Sequence, residues 1–99
     1  MVEVEFDNFE EKIQDKKYLV DFHAHWCGPC LALTPTLEQV EKESGVPIYK
    51  VNIDNLPDAA RRYGVRSIPT VILMEDGKLI ETIVGSSPKA RYLKLLGAE

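Results

Sequence analysis

With 99 residues, 44% of them apolar, the chain has the size of one ordinary domain and enough apolar side chain for a core without disulfide or metal staples. Its formal net charge of −4 argues against a nucleic-acid backbone as the main partner, and two cysteines are too few to frame a small secreted scaffold. No window approaches the ~18 apolar residues of a membrane span, and Met1-Val2-Glu3-Val4-Glu5 lacks a basic region followed by an apolar run, so a soluble cytoplasmic protein is expected, although a mature exported chain would look the same.

Val2 and Val4 alternate with Glu3 and Glu5, which predicts a short, half-buried first strand. Asp7 followed by Glu10 reads as a capping box for a short helix with Phe9 and Ile13 on one face. Tyr18 to Ala24 is apolar on both faces, as for a strand in the middle of a covered sheet, and Asp21 is anomalous within it. A long helix then runs from Pro29 to a terminator at Gly45, with Leu33, Leu37 and Val40 at helical spacing and a kink predicted at Pro35. Pro47 to Ile53 is the next strand, with Ile48, Lys50 and Asn52 on one face and Tyr49, Val51 and Ile53 on the other.

Pro57 and Asp58 open a short helix that Gly64 closes, and Val65 to Pro69 is a loop into the strand Thr70 to Met74. Asp76-Gly77 is a hairpin signal into Leu79 to Val84, and Ser87-Pro88 caps a last helix with Leu93 and Leu96 facing the core. The order is β-α-β-α-β-α-β-β-α without repeats or linkers. It predicts an α/β fold in which residues 1–99 form a single domain, one mixed sheet with helices on both faces.

Both cysteines fall in Trp26-Cys27-Gly28-Pro29-Cys30, between the central strand and the long helix. A pair at this spacing, at the end of a strand and the start of a helix, reads as a dithiol redox site. The alternative of a structural staple is weak, because closing four residues removes only about 1.9 kcal/mol of unfolded-chain entropy, against about 3 for fifteen. At a helix N-terminus the free N–H groups and the dipole favour a thiolate. The dipole supplies only ~0.3 to 1 kcal/mol, less than the ~1.36 of one pKa unit, so direct hydrogen bonds must add to it. Cys27 is expected to be the nucleophile.

Val20-Asp21-Phe22, Trp26 to Cys30, Lys50 to Asp54, Ile68-Pro69-Thr70 and Val84-Gly85, all in order, resemble the thioredoxin family nearly end to end. The resemblance implies a five-stranded sheet of order 3-1-2-4-5 flanked by four helices, a cis peptide before Pro69, and disulfide reduction at Cys27 and Cys30. It implies an exposed first cysteine that forms a mixed disulfide with substrate and a second, partly buried, that resolves it. It also implies a thioredoxin reductase as partner and electron source, disulfide-containing proteins as substrates, a monomer, and no bound cofactor. Pro69 would sit against the dithiol, Ile68 would present its backbone to an extended substrate, and Trp26, Ile68 and Gly85 would form an apolar platform, with Gly28 and Pro29 between the thiols resembling the reductants of the family. Lys50 aligns with a family lysine near the buried acid. His23 stands where a second tryptophan is usual, Leu31 where a basic residue often follows the second cysteine, and His25 occupies a variable position.

Resolution requires Cys30 to lose a proton inside a covered site, and Asp21, a lone acid in an apolar strand, is the candidate base. His23 shares its face, roughly 7 Å away at about 3.3 Å per residue, and either tunes Asp21 or fills the space of an aromatic. Two other function classes stay open. One is a zinc module built on His23, His25, Cys27 and Cys30, the other a scaffold subunit whose dithiol is dispensable.

Overall fold

The computed structural model describes residues 1–98. Its elements are β1 (Val2–Glu3), α1 (Phe9–Lys12), β2 (Lys17–His23), α2 (Gly28–Ser44), β3 (Ile48–Asn52), α3 (Pro57–Arg62), β4 (Thr70–Glu75), β5 (Lys78–Val84) and α4 (Lys89–Leu95), in the anticipated order. Every residue of β2 from Tyr18 to His23 is buried, so this strand needs neighbours at both edges and helices on both faces. The sheet supplies the first: β2 pairs parallel with β3 and antiparallel with β4.

The strand order is β1-β3-β2-β4-β5, which corrects the expected 3-1-2-4-5 by exchanging the two outer places. The reason lies in β1 itself. It is two residues long with both side chains exposed, including Val2, whereas β3 buries Ile48 and Val51 and so takes the inner position. An exposed, minimal strand belongs at an edge, where its shortness limits the unpaired backbone it presents. Val4 extends the pairing by one bond, donating its N–H to the Lys50 carbonyl at 2.9 Å.

On one face of the sheet Leu19, Ile48, Val71 and Leu73 pack against Leu33, Leu37 and Val40 of α2, Tyr92 and Leu93 of α4, and Leu96 at its C-cap. On the other, Val20, Phe22, Val51 and Ile72 pack against Phe9 of α1, Leu56 at the N-cap of α3, and Ala59 and Ala60 within it. Full burial of each large aliphatic or aromatic side chain contributes about 1.5–3 kcal/mol, so these two layers hold the sheet between its helices. The long helix α2 runs through Pro35 as one element. Leu31, whose carbonyl loses its N–H partner at Pro35, faces solvent with the proline, so water can take the freed acceptor. The β4–β5 turn places both Asp76 and Gly77 at positive φ, the conformation of a two-residue hairpin loop.

Two caps differ from expectation. Asn8, not Asp7, occupies the N-cap of α1 and makes no side-chain cap bond. Asp7 Oδ1 instead accepts from the Ala59 N–H in the first turn of α3 at 3.3 Å, and Glu10 accepts from Tyr63 and Arg62 at the end of the same helix. The two acids serve a neighbouring helix whose own N-cap, Leu56, has no capping side chain. At α4 the N-cap is Pro88, and the Ser87 hydroxyl accepts from Arg91 at 3.1 Å in place of a backbone amide.

Tyr18 is buried with its hydroxyl lacking a hydrogen-bond partner among the described residues. An unpartnered buried hydroxyl costs about 1–3 kcal/mol in lost hydration. Tyr18→Phe is therefore expected to leave the urea midpoint unchanged or raise it, whereas Leu37→Ala should cost about 2–5 kcal/mol. A marked loss of stability in the phenylalanine variant would show that the hydroxyl is satisfied after all.

Candidate active site

The last buried residues of β2 deliver the chain to a tight turn in which the Cys27 N–H donates to the Ala24 carbonyl at 3.2 Å. Cys27 then takes the N-cap of α2, with extended backbone at φ −91° and ψ 104°, and Pro29 occupies the first turn, where its missing N–H is no loss. The Cys27 Sγ accepts the Cys30 backbone N–H at 3.1 Å. A sulfur thus does what a serine or aspartate oxygen does at an ordinary N-cap, and one orphan amide of the helix is aimed at it.

Cys27 and Cys30 are joined as a disulfide, with Cα atoms 5.2 Å apart. Cys30 falls on the buried stripe of α2 with Leu33, Leu37 and Val40, so the helical period itself turns its side chain inward. Both cysteines are nearly covered, Cys27 at 5% and Cys30 at 3% exposure, which differs from the expected exposed first cysteine. Ala24, Ile53 and Ile68 pack against the pair, and Cys27 Sγ lies 4.0 Å from the Ile68 carbonyl. In the disulfide this sulfur carries no proton, so the approach is a contact and not a donated bond.

The Ile68-Pro69 peptide is cis. Gly85 donates its N–H to the Pro69 carbonyl at 2.8 Å from a backbone at φ +82°, a conformation that favours glycine, and so ties the β5 exit to this loop. Pro69 is buried and Ile68 half-buried, while Gly28, Pro29 and Trp26 are exposed, Trp26 at 69%. The Trp26 indole donates to Asp54 Oδ2 at 2.9 Å, and Asp54 is held in turn by its own N–H on Asn52 Oδ1 at 2.9 Å. Leu31, which follows Cys30, is also an exposed large apolar side chain. Sequence reading missed the role of Asp54, although it falls in one of the quoted motifs, because a pairing 28 residues apart has no local signature.

Beneath the helix, Asp21 is 2% exposed and its Oδ1 has no partner among the described residues. Burial pushes its carboxyl up to about 7, against the pull of Lys50 and with a further push from Glu3. His23 is buried beside it and turns Nε2 to Glu3, 3.0 and 3.1 Å from the two carboxylate oxygens. Lys50 is half-buried and stands directly opposite Asp21 in the β2–β3 register. His25 is exposed, its ring 5.9 Å from that of His23. Glu3 was not singled out from sequence, since its neighbours come from strands far along the chain. The four residues of the zinc alternative do not gather: the sulfurs are bonded to each other and His23 is bonded to Glu3. Among the described residues no group of three or more His, Cys, Asp or Glu is placed to hold a metal ion.

The thioredoxin family model matches residues 1–98. A thioredoxin from Chlamydia caviae is 49% identical over 94 residues, covering 94% of this chain and 92% of that protein. One from Streptomyces clavuligerus is 45% identical over 91 residues, covering 89% and 85%. Among solved structures, a mutant thioredoxin from Halobacterium salinarum superposes with a TM-score of 0.91 at 29% identity, covering 99% of this chain and 90% of that one. The chain therefore belongs to the thioredoxin family, and it is a protein dithiol-disulfide oxidoreductase whose redox pair is Cys27 and Cys30.

Proposed function

We propose that the protein reduces disulfides of other proteins with Cys27 as nucleophile, Cys30 as resolving thiol and Asp21 as the base that activates Cys30. The observation that carries this reading is the Cys30 N–H directed at Cys27 Sγ at 3.1 Å, which stabilises negative charge on the first sulfur and has no counterpart on the second among the described residues. In the reduced protein the Cys27 thiolate attacks one sulfur of the substrate disulfide. A mixed disulfide forms and the other substrate sulfur leaves as thiolate. Cys30 then passes its proton to Asp21 and attacks Cys27 Sγ, which forms the Cys27–Cys30 bond and expels the second substrate thiolate. Two electrons have moved from protein to substrate.

Asp21 suits this task because a carboxylate with a pKa near 7 holds or releases a proton at neutral pH. It projects to the face covered by α2, further along β2 than Leu19 and so nearer the helix start that bears Cys30. Exposed Trp26, Gly28 and Pro29, with Ile68, Pro69 and Gly85 across the disulfide, supply an apolar rim for an extended substrate segment, whose backbone can pair with that of Ile68. Lys50 and His23 tune the acid. Residues 1–99 work as one domain and one monomer. The electrons come from a thioredoxin reductase, no other cofactor is needed, and the setting is the cytoplasm, where the protein serves electron transport and redox homeostasis. The family and its bacterial members favour that setting, and no helix among the described residues is long and apolar enough to cross a membrane.

Reduction of a protein disulfide by the wild type under limiting small dithiol should vanish in Cys27→Ser, while Cys30→Ser should trap the mixed disulfide. Turnover that survives in Cys27→Ser would overturn the assignment of the nucleophile.

Asp21→Asn should slow resolution more than first attack, and equal slowing of both steps would remove Asp21 as base. The same variant has a stability signature. Unfolded Asp21 ionises near pH 4 and the native carboxyl near 7, so between these values the native state binds the extra proton and stability falls as pH rises. At ~1.36 kcal/mol per unit the wild type should lose roughly 4 kcal/mol relative to Asp21→Asn between pH 4 and 7, with the difference constant above that window. Parallel stability curves for the two proteins would place the Asp21 pKa near its ordinary value.

A further inference from the structure

Asp21 is one member of a charged row. In the two parallel registers Glu3 of β1 and Asp21 of β2 both stand opposite Lys50 of β3, so three neighbouring strands bring two carboxylates and one ammonium into line. The pleat puts this row on the same face as Leu19 and Ile48, beneath α2 and α4. Glu3 lies on an exposed edge strand, yet its carboxylate does not swing free. His23, two residues beyond Asp21 and on the same side of β2, meets both Glu3 oxygens with Nε2. The side chain of His23 is 5% exposed and that of Glu3 38%, so a buried imidazole holds a half-solvated acid over the sheet. Titratable groups on this side also include Lys17 of β2, which donates to the Leu96 carbonyl, Glu41 of α2, which accepts from the Met1 amine and the Ile48 N–H, Glu81 of β5, opposite Leu73, Tyr92 of α4, packed in the same layer, and His25, whose ring lies against His23.

We propose that Glu3, held by His23, is a positioning residue for the dithiol-disulfide reaction: its fixed negative charge offsets Lys50 and keeps the proton on Asp21 to higher pH. This rests on the reading of Asp21 as the base for Cys30. With Lys50 as the only charged neighbour the carboxyl would ionise at lower pH and, as a carboxylate of lower proton affinity, would be a weaker acceptor for a thiol proton. A second carboxylate on the far side of Lys50 opposes that pull, consistent with the direction in which Glu3 acts on Asp21. Two strand spacings of ~4.8 Å separate the Glu3 and Asp21 backbones by about 9.6 Å. Unit charges at that range move a titration by ~0.3 pH unit in a water-like medium and by ~1.3 at an effective dielectric of about 20.

Glu3→Gln separates charge from architecture, because the amide oxygen still accepts from His23 while the charge is gone. Two readouts belong together: the titration of Asp21 followed by carboxyl carbon NMR, and the pH profile of resolution from a preformed mixed disulfide. In Glu3→Gln both midpoints should fall by roughly 0.3 to 1.3 pH units, with the fold retained. Releasing Glu3 by His23→Phe should move both in the same direction, and Glu5→Gln, a neighbouring exposed acid, should move neither. An Asp21 titration unmoved in Glu3→Gln overturns the proposal and leaves the Glu3–His23 contact as a clasp for β1. So does an equal shift in Glu5→Gln, which would be a net-charge effect. If the Asp21 titration falls and the resolution profile stays, it is Asp21 that fails as base, and the role of Glu3 in the reaction fails with it.

Discussion

Burial of β2 on both faces is the constraint from which the rest follows. A strand with no solvated side must be flanked by strands and roofed by helices, which fixes β3 and β4 as its neighbours and sets α2 with α4 on one face and α1 with α3 on the other. The same burial determines what Asp21 can be. Any acid at that position is withdrawn from water whatever its side-chain rotamer, and only a partner or a proton relieves it. The described residues offer Oδ1 no hydrogen bond, so the carboxyl answers by holding its proton to about pH 7. Structural necessity and chemical usefulness coincide at one residue.

Much of this was legible in the chain because the decisive signals were local. The mostly apolar run of β2, the Pro29 start and Gly45 stop of α2, and the Asp76-Gly77 hairpin each use a few adjacent residues, and each appears where expected. Cys27 and Cys30 are three residues apart, so their pairing needed no tertiary knowledge. What failed to show was non-local. Asp7 and Glu10 have the spacing of a capping box and serve α3 instead, because the competing partners arrive some fifty residues later. The place of β1 at the edge depends on its being too short and too exposed for an inner position. Glu3, Asp54 and the buried Tyr92 were missed for the same reason, since strand register and helix docking decide whom they meet.

A CxxC segment at a helix start gives two chemically identical thiols different surroundings from backbone geometry alone. The first cysteine, as N-cap, stands outside the helix with an amide directed at its sulfur. The fourth residue is one turn in and, by the helical period, in phase with the core stripe of Leu33, Leu37 and Val40. On the proposed reading the amide at the first sulfur favours its thiolate, while the second sulfur, on the core stripe, lacks that help. Such stabilisation would make Cys27 a better leaving group as well as a more abundant thiolate, at only a partial cost in intrinsic nucleophilicity. The sulfur that is attacked in the second step is therefore the one best able to be expelled. Left at that, the protein would bind its substrate and tend to return it, since expulsion of Cys27 is the reverse of the first step. The forward reaction depends on Cys30 reaching its thiolate form before that happens. On the proposed reading a proton acceptor in the dry layer beneath α2 therefore matters more than any further stabilisation of the Cys27 thiolate, and the charges of Glu3 and Lys50 around Asp21 would bear on the reaction at the helix start.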